Sequence, residues 1–132
     1  MSASPAMRRG DKMMTPERAM EALTGAFSGR LATIGVDGYP YCLPLLFVML
    51  DGEIFVHNSS AKGHLRMNVD HHARVCFEVD QAHDVYAYGR FECDTALAYW
   101  SVVVFGDVRV VEAAELKRRF CDALMSKYAD KT

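Results

Sequence analysis

A chain of 132 residues, 51% hydrophobic and 24% charged, has room for one domain that buries roughly two thirds of its unfolded surface. This composition excludes a disordered chain, and a net charge of -2 excludes a dominant nucleic-acid surface. No apolar run reaches membrane-spanning length, and the N-terminus lacks the apolar core of a signal peptide, so no membrane partner is expected. Cys42, Cys76, Cys93 and Cys121 form no zinc-type spacing. Three of them stand in apolar, strand-like runs, so buried free thiols and a cytoplasmic location are expected. Most of the eight methionines occupy apolar positions and read as core filler.

Residues 1–14 read as a flexible basic arm and residues 15–132 as the folded domain. Arg8, Arg9 and Lys12 give the arm its charge, either as a solvated tail or as a reach toward an anionic partner. Thr15-Pro16-Glu17 starts a helix with a hydroxyl cap, a proline at the first position and an acid in the first turn. Met20, Leu23 and Phe27 form its apolar stripe, and Gly29 is expected to end it. Residues 30–36 predict a strand, Asp37-Gly38 a hairpin turn, and residues 39–50 one long second strand. Asp51-Gly52 then turns the chain into a third strand. Pro44 removes a ladder donor and places the second strand at an edge or bulge. Free backbone groups there could meet a ligand, or the edge is merely irregular.

The most informative stretch is EIFVHNSSAKGHLRMN, residues 53–68. Ile54, Phe55 and Val56 suit a buried strand, and Leu65 and Val69 stand four apart in a helix-compatible run. Between them lies a hydroxyl-rich cluster. The first amides of such a helix lack internal acceptors, and its dipole favours an anion. Ser59, Ser60, Lys62, His57 and His64 therefore converge on a spot suited to phosphate. The competing reading is ordinary N-capping by the serines, with Lys62 a solvated surface charge. Neither a Walker-type loop nor a GxGxxG fingerprint is present.

Further on, residues 74–80 and 85–93 predict two strands. Residues 98–112 give a long β-branched run with a bulge expected at Gly106, and residues 113–128 a closing helix with Leu116, Phe120, Ala123 and Leu124 on one face. Consecutive strands, Asp-Gly turns and helices at the edges point to a mainly β fold, a small antiparallel barrel with flanking helices. His71 and His72 beside Asp70 make a poor chelate because neighbouring helical residues diverge. A helix-end role suits them better, and no metal site is expected.

In order, residues 7–12 (MRRGDK), 29–47 (GRLATIGVDGYPYCLPLLF), 54–68 (IFVHNSSAKGHLRMN), 73–80 (ARVCFEVD) and 88–106 (YGRFECDTALAYWSVVVFG) resemble the pyridoxamine 5'-phosphate oxidase-like FMN-binding split barrels. The nearest branch includes the nitroimidazole-resistance reductases. The resemblance implies a six-stranded-type antiparallel split barrel and a homodimer with flavin at the subunit interface. It implies FMN phosphate near His57, Ser59, Ser60, Lys62 and His64, and the backbone of Leu43, Pro44, Leu45 and Leu46 at the flavin ring edge. Tyr99, Trp100 and Ser101 would approach the cofactor from the same or the partner subunit, and Arg8 and Arg9 would cross the dimer.

Three departures accompany it. Trp100 stands where relatives carry a basic residue. Leu65 replaces another, leaving Lys62 and His64 as the phosphate-facing positives. Relatives also continue to a further barrel strand beyond the position of Thr132, so either the terminal helix is the natural end or the barrel lacks that strand. The activity implied is FMN-dependent oxidoreduction from a reduced nicotinamide to a small molecule of the nitro or pyridoxal type. Small split barrels of this kind work without a dedicated catalytic acid. His57 is the candidate proton donor, against a purely hydrogen-bonding role. Deazaflavin and heme are alternative cofactors, and a non-catalytic flavin- or heme-binding protein is the alternative function.

Overall fold

The computed structural model describes residues 4–59, 61–90 and 95–131. Helix α1 (Pro16–Gly25) starts where local chemistry places it: the Arg18 amide donates to Thr15 Oγ1 at 3.2 Å, and Pro16 occupies a position whose N–H would be unused. The helix ends at Gly25, not Gly29. Leu23 is its buried contact, with Ala22 and Ala26 half-buried, while Met20 and Phe27 of the expected stripe are exposed. Gly29 instead opens strand β1 (Gly29–Ile34), where a Cβ would overlap the buried ring of Phe77.

Strand β2 (Pro40–Leu45) pairs antiparallel with β1 from Gly29↔Leu45 to Ile34↔Pro40. Their turn has Gly38 at φ +83° and is closed by hydrogen bonds of 2.9 Å between Gly35 and both Gly38 and Tyr39. The second turn places Asp51 and Gly52 at φ 53° and 77°, the left-handed pair that a two-residue hairpin needs, and joins β3 (Phe47–Leu50) to β4 (Glu53–Val56). The single strand expected over residues 39–50 is thus two, broken at exposed Leu46. The cause is long-range. Phe47 is fully buried, its amide donates to Tyr128 Oη at 3.2 Å, and its carbonyl accepts from Lys127 Nζ at 3.0 Å.

Helix α2 (His64–His71) follows β4, and β5 (Arg74–Ala87) then pairs antiparallel with β6 (Thr95–Asp107). The separate strands expected at 74–80 and 85–93 are one strand through Ala87; residues 91–94, including Cys93, lie outside the described residues. The ladder irregularity falls between Ala82 and Val85, where polar His83 and Asp84 are accommodated. Gly106 carries no bulge: it pairs in register with Val75, and β6 ends at Asp107, before residues 108–112. Helix α3 (Ala114–Tyr128) then packs on β3, with Leu116, Phe120, Ala123 and Leu124 half-buried as their spacing predicts.

The strands form a four-stranded sheet in the order β2-β1-β5-β6 and a two-stranded sheet β3-β4. The fold is mainly β, with antiparallel sheets and three α-helices, and no hydrogen-bonded barrel closure occurs among the described residues. Leu23, Leu31, Phe47, Leu65, Phe77 and Val79 form the core, with Leu43 and Leu45 packed against it. Leu31 and Thr33 face inward, so Ala32 and its cross-strand partners Cys42 and Cys76 face outward. Cys42 is therefore exposed and Cys76 half-buried, contrary to the expectation of buried thiols in strand-like runs; Cys121, on α3, is exposed as well. Among the described residues no helix is long and apolar enough to cross a membrane, and no group of three or more His, Cys, Asp or Glu could hold a metal ion.

Candidate functional site: the loop between β4 and α2

Buried Asn68 donates from Nδ2 to buried Thr33 Oγ1 at 3.0 Å, and Leu65 joins the core, so α2 is pinned across β1. That docking sets where the helix begins. Its cap is Gly63, in extended conformation and without a side-chain hydrogen bond to the first turn. Ser59 is not the cap: it lies four residues earlier and its hydroxyl donates to Ala61 O at 3.4 Å, while Ser60 lies outside the described residues. Lys62 precedes the helix. Among the described residues no side chain accepts from the first-turn amides, which stand beside a glycine whose Cβ position is open space.

Around this helix start the described loop residues are exposed, and Lys62 carries a positive charge. His64 packs its ring against Tyr41 of β2 at 5.6 Å between centroids, bringing the edge strand to the helix start. His57 rests on Phe120 of α3 at 5.9 Å. Lys62, 65% exposed, reaches Asp70 at 3.5 Å, and Arg66 holds the other oxygen of Asp70 at 3.0 Å. Hydrogen bonding from Arg66, aided by Lys62, keeps the Asp70 carboxyl below the usual carboxylate range. These are solvent-exposed pairs, weak enough for an incoming dianion to compete for Lys62. An uncapped helix start with an ammonium before it, one imidazole at its first position and open space beside it fits a phosphate group.

Among the described residues strand β2 has β1 as its only neighbour, so Pro44 sits on a sheet edge, as its missing donor predicts. Leu43 and Leu45 turn toward the core while Pro44 is exposed. Trp100 and Ser101 lie on β6. Trp100 borders an open cleft of about 480 Å³ at the end of α1 that none of His57, Ser59, Lys62 or His64 lines. The chain therefore brings the loop and β2 together, and leaves Trp100 at another place in the same protomer.

The rim of that cleft holds a charge cluster that sequence reading overlooked. Arg30 Nε meets Glu78 Oε1 at 2.7 Å and its Nη2 meets Asp80 Oδ2 at 3.1 Å. Partial burial pushes the Glu78 carboxyl up; Arg30 opposes this and neighbouring Asp80 adds to it. The signal available in sequence was Arg30, Glu78 and Asp80 at outward positions of two strands, which becomes a cluster only once Arg30 is known to pair with Glu78.

The family model for pyridoxamine 5'-phosphate oxidase matches residues 15–132. No curated protein matches the sequence. Among solved structures, the chain is similar to a candidate 5-nitroimidazole antibiotic resistance protein from Bacteroides thetaiotaomicron, with 21% identity and a TM-score of 0.74, covering 91% of this chain and 70% of that one. A conserved hypothetical protein from Mycobacterium tuberculosis gives 24% identity and a TM-score of 0.77, covering 93% of this chain and 69% of that one. An FAD and heme binding protein from Mycobacterium smegmatis gives 26% identity and a TM-score of 0.73; the match covers 86% of this chain but only 54% of that one. The matched span, the antiparallel sheets and these likenesses agree: the chain belongs to the pyridoxamine 5'-phosphate oxidase-like split-barrel family.

Proposed function

We propose that the protein is an FMN-dependent oxidoreductase that takes electrons from a reduced nicotinamide and delivers them to a small molecule of the nitro or pyridoxal type. The observation that carries this reading is the start of α2, uncapped among the described residues, with Lys62 just before it, His64 at its first position and edge strand β2 alongside. In it, the α2 amides, Ser59, Ser60, Lys62 and His64 hold the phosphate, and the backbone of Leu43, Pro44 and Leu45 faces the ring edge. Bound flavin supplies two-electron transfer. The chain's own residues orient it and keep one face open; in this reading His57, which packs on Phe120, hydrogen-bonds the phosphate or lends a proton. Protein desalted after mixing with FMN should keep a flavin spectrum and consume reduced nicotinamide with a nitro or pyridoxal-type acceptor. Retained flavin without turnover would sink the enzymatic part.

The same proposal includes a homodimer with flavin at the interface. Leu97, Tyr99, Val103 and Phe105 stand at alternate positions of β6, each between 45% and 63% exposed, and Cys42 and Ile34 are exposed on the same sheet. An uncovered apolar sheet face of this kind fits a partner. Such an interface is also the route by which the partner's β6 would bring Trp100 and Ser101 to the cofactor, with the basic arm of residues 1–14 crossing between subunits. Phe105→Glu is expected to turn a dimer into a monomer in analytical ultracentrifugation. A wild-type chain that sediments as a monomer would refute it.

A cytoplasmic location accords with the exposed thiols of Cys42 and Cys121, which persist free in a reducing compartment. One observation favours a second reading, a non-catalytic flavin or heme carrier: the similar Mycobacterium smegmatis protein binds FAD and heme. A Soret band in the purified protein would select it, and deazaflavin retention in place of FMN would revise the cofactor alone.

A further inference from the structure

The cleft at the end of α1 has features of its own. Its walls combine Trp100 and Phe27 with Ala22, Gly25 and Ala26, and its polar groups are Glu21, Ser28, Arg30, Asp80 and Gln81. Its size of about 480 Å³ falls within the range of small-molecule sites. A smaller depression of about 180 Å³ continues from it past Glu21, Ala22 and Trp100 to Arg18 and Met14.

Charge decides what it could accept. Among the described residues Arg30 is the one cation lining the main cleft, with Arg18 beyond it in the smaller depression, and Glu78 and Asp80 already bind Arg30 at 2.7 and 3.1 Å. An entering anion would find that guanidinium spent and would face the carboxylates of Glu21, Asp80 and, behind Arg30, Glu78. A cation meets the opposite situation. Among the described residues the Glu21 carboxylate and the Gln81 amide have no side-chain partner, and Asp80 gives one oxygen to Arg30. The indole of Trp100 adds the aromatic face that attracts cations most strongly. Glu21 comes from α1 and Asp80 from β5, so the two carboxylates approach from different elements.

We propose that this cleft binds a flat, cationic, N–H-rich group of the amidine or protonated amino-heteroaromatic class, set against Trp100 with its donors on Glu21, Asp80 and Gln81. The site is separate from the phosphate loop of its own protomer, and it is tested on flavin-free protein because the proposed dimer would set Trp100 beside the partner's flavin.

Trp100 is the only tryptophan in the chain, so its emission reports on the cleft directly. The full chain is titrated with benzamidine, with benzoate and benzamide as anionic and neutral counterparts of the same shape, and binding is checked by calorimetry. Benzamidine should shift the emission saturably, while benzoate and benzamide should not. Glu21→Gln and Asp80→Asn should each weaken binding about fivefold. Glu17→Gln, on the same helix but outside the cleft, should change nothing. The proposal is overturned if emission stays constant up to about 10 mM benzamidine, if benzoate binds as well as benzamidine, or if binding is indifferent to Glu21→Gln.

Discussion

Tyr128→Ala is expected to destabilise the fold by about 3–5 kcal/mol, and Tyr128→Phe by about 1–3 kcal/mol. The hydroxyl serves two distant segments. It donates to Phe27 O at 2.6 Å and accepts from the buried Phe47 amide at 3.2 Å. The Phe47 carbonyl lies 3.0 Å from the same hydroxyl, but one proton serves one carbonyl, and Lys127 Nζ supplies Phe47 O instead. Removing the hydroxyl strands a buried amide and a carbonyl together; removing the ring also opens a cavity beside Phe47 and Phe27, against which Tyr128 packs edge-on. Thermal unfolding should show the two variants in that order, at about 4 °C per kcal/mol for a domain of this size. Equal small losses would mean that α3 is held by its apolar face alone. Because α3 also seats His57 through Phe120, the alanine variant should lose flavin affinity as well.

Gly29→Ala is expected to cost about 2–3 kcal/mol despite adding a single methyl group. The new Cβ would overlap the Phe77 ring. That ring cannot swing away: it is buried and packed edge-on against fully buried Phe47, with centroids 4.9 Å apart. The entropy lost by the unfolded chain offsets well under half of the overlap. Gly25→Ala, in open space at the end of α1, serves as the control and should stabilise slightly or leave stability unchanged. Equal melting temperatures for Gly29→Ala and wild type would show that the core at Phe77 is loose.

What sequence revealed and what it hid divide along the range of the forces involved. The start of α1 and both Asp-Gly turns were legible because cap, proline and left-handed glycine act within a few residues. The edge position of Pro44 followed from a missing donor in the same way. The break at Leu46 was not legible, since the groups that capture Phe47 lie 80 and 81 residues away. Gly29 looked like a helix terminator because its real constraint, Phe77, belongs to another strand. The thiol of Cys42 looked buried because an apolar run does not say which face meets the core.

The location of the loop was readable from the order of strand, polar cluster and helix. Its cap was not, because Gly63 takes that place only through the docking of Asn68 on Thr33. Trp100 fell within a recognisable segment, yet its surroundings depend on how α1 ends beside β6.

The most direct test of the flavin-phosphate account is a paired equilibrium titration of the protein with FMN and with riboflavin, read by flavin fluorescence. If the loop between β4 and α2 holds the phosphate, FMN binds at least about tenfold more tightly than riboflavin, a difference of ~1.4 kcal/mol. Lys62→Ala then narrows the gap, and Asp70→Asn, which frees Lys62 from its 3.5 Å contact, widens it. Equal affinities for the two flavins, or a gap indifferent to Lys62, would contradict the assignment of this loop as the phosphate site.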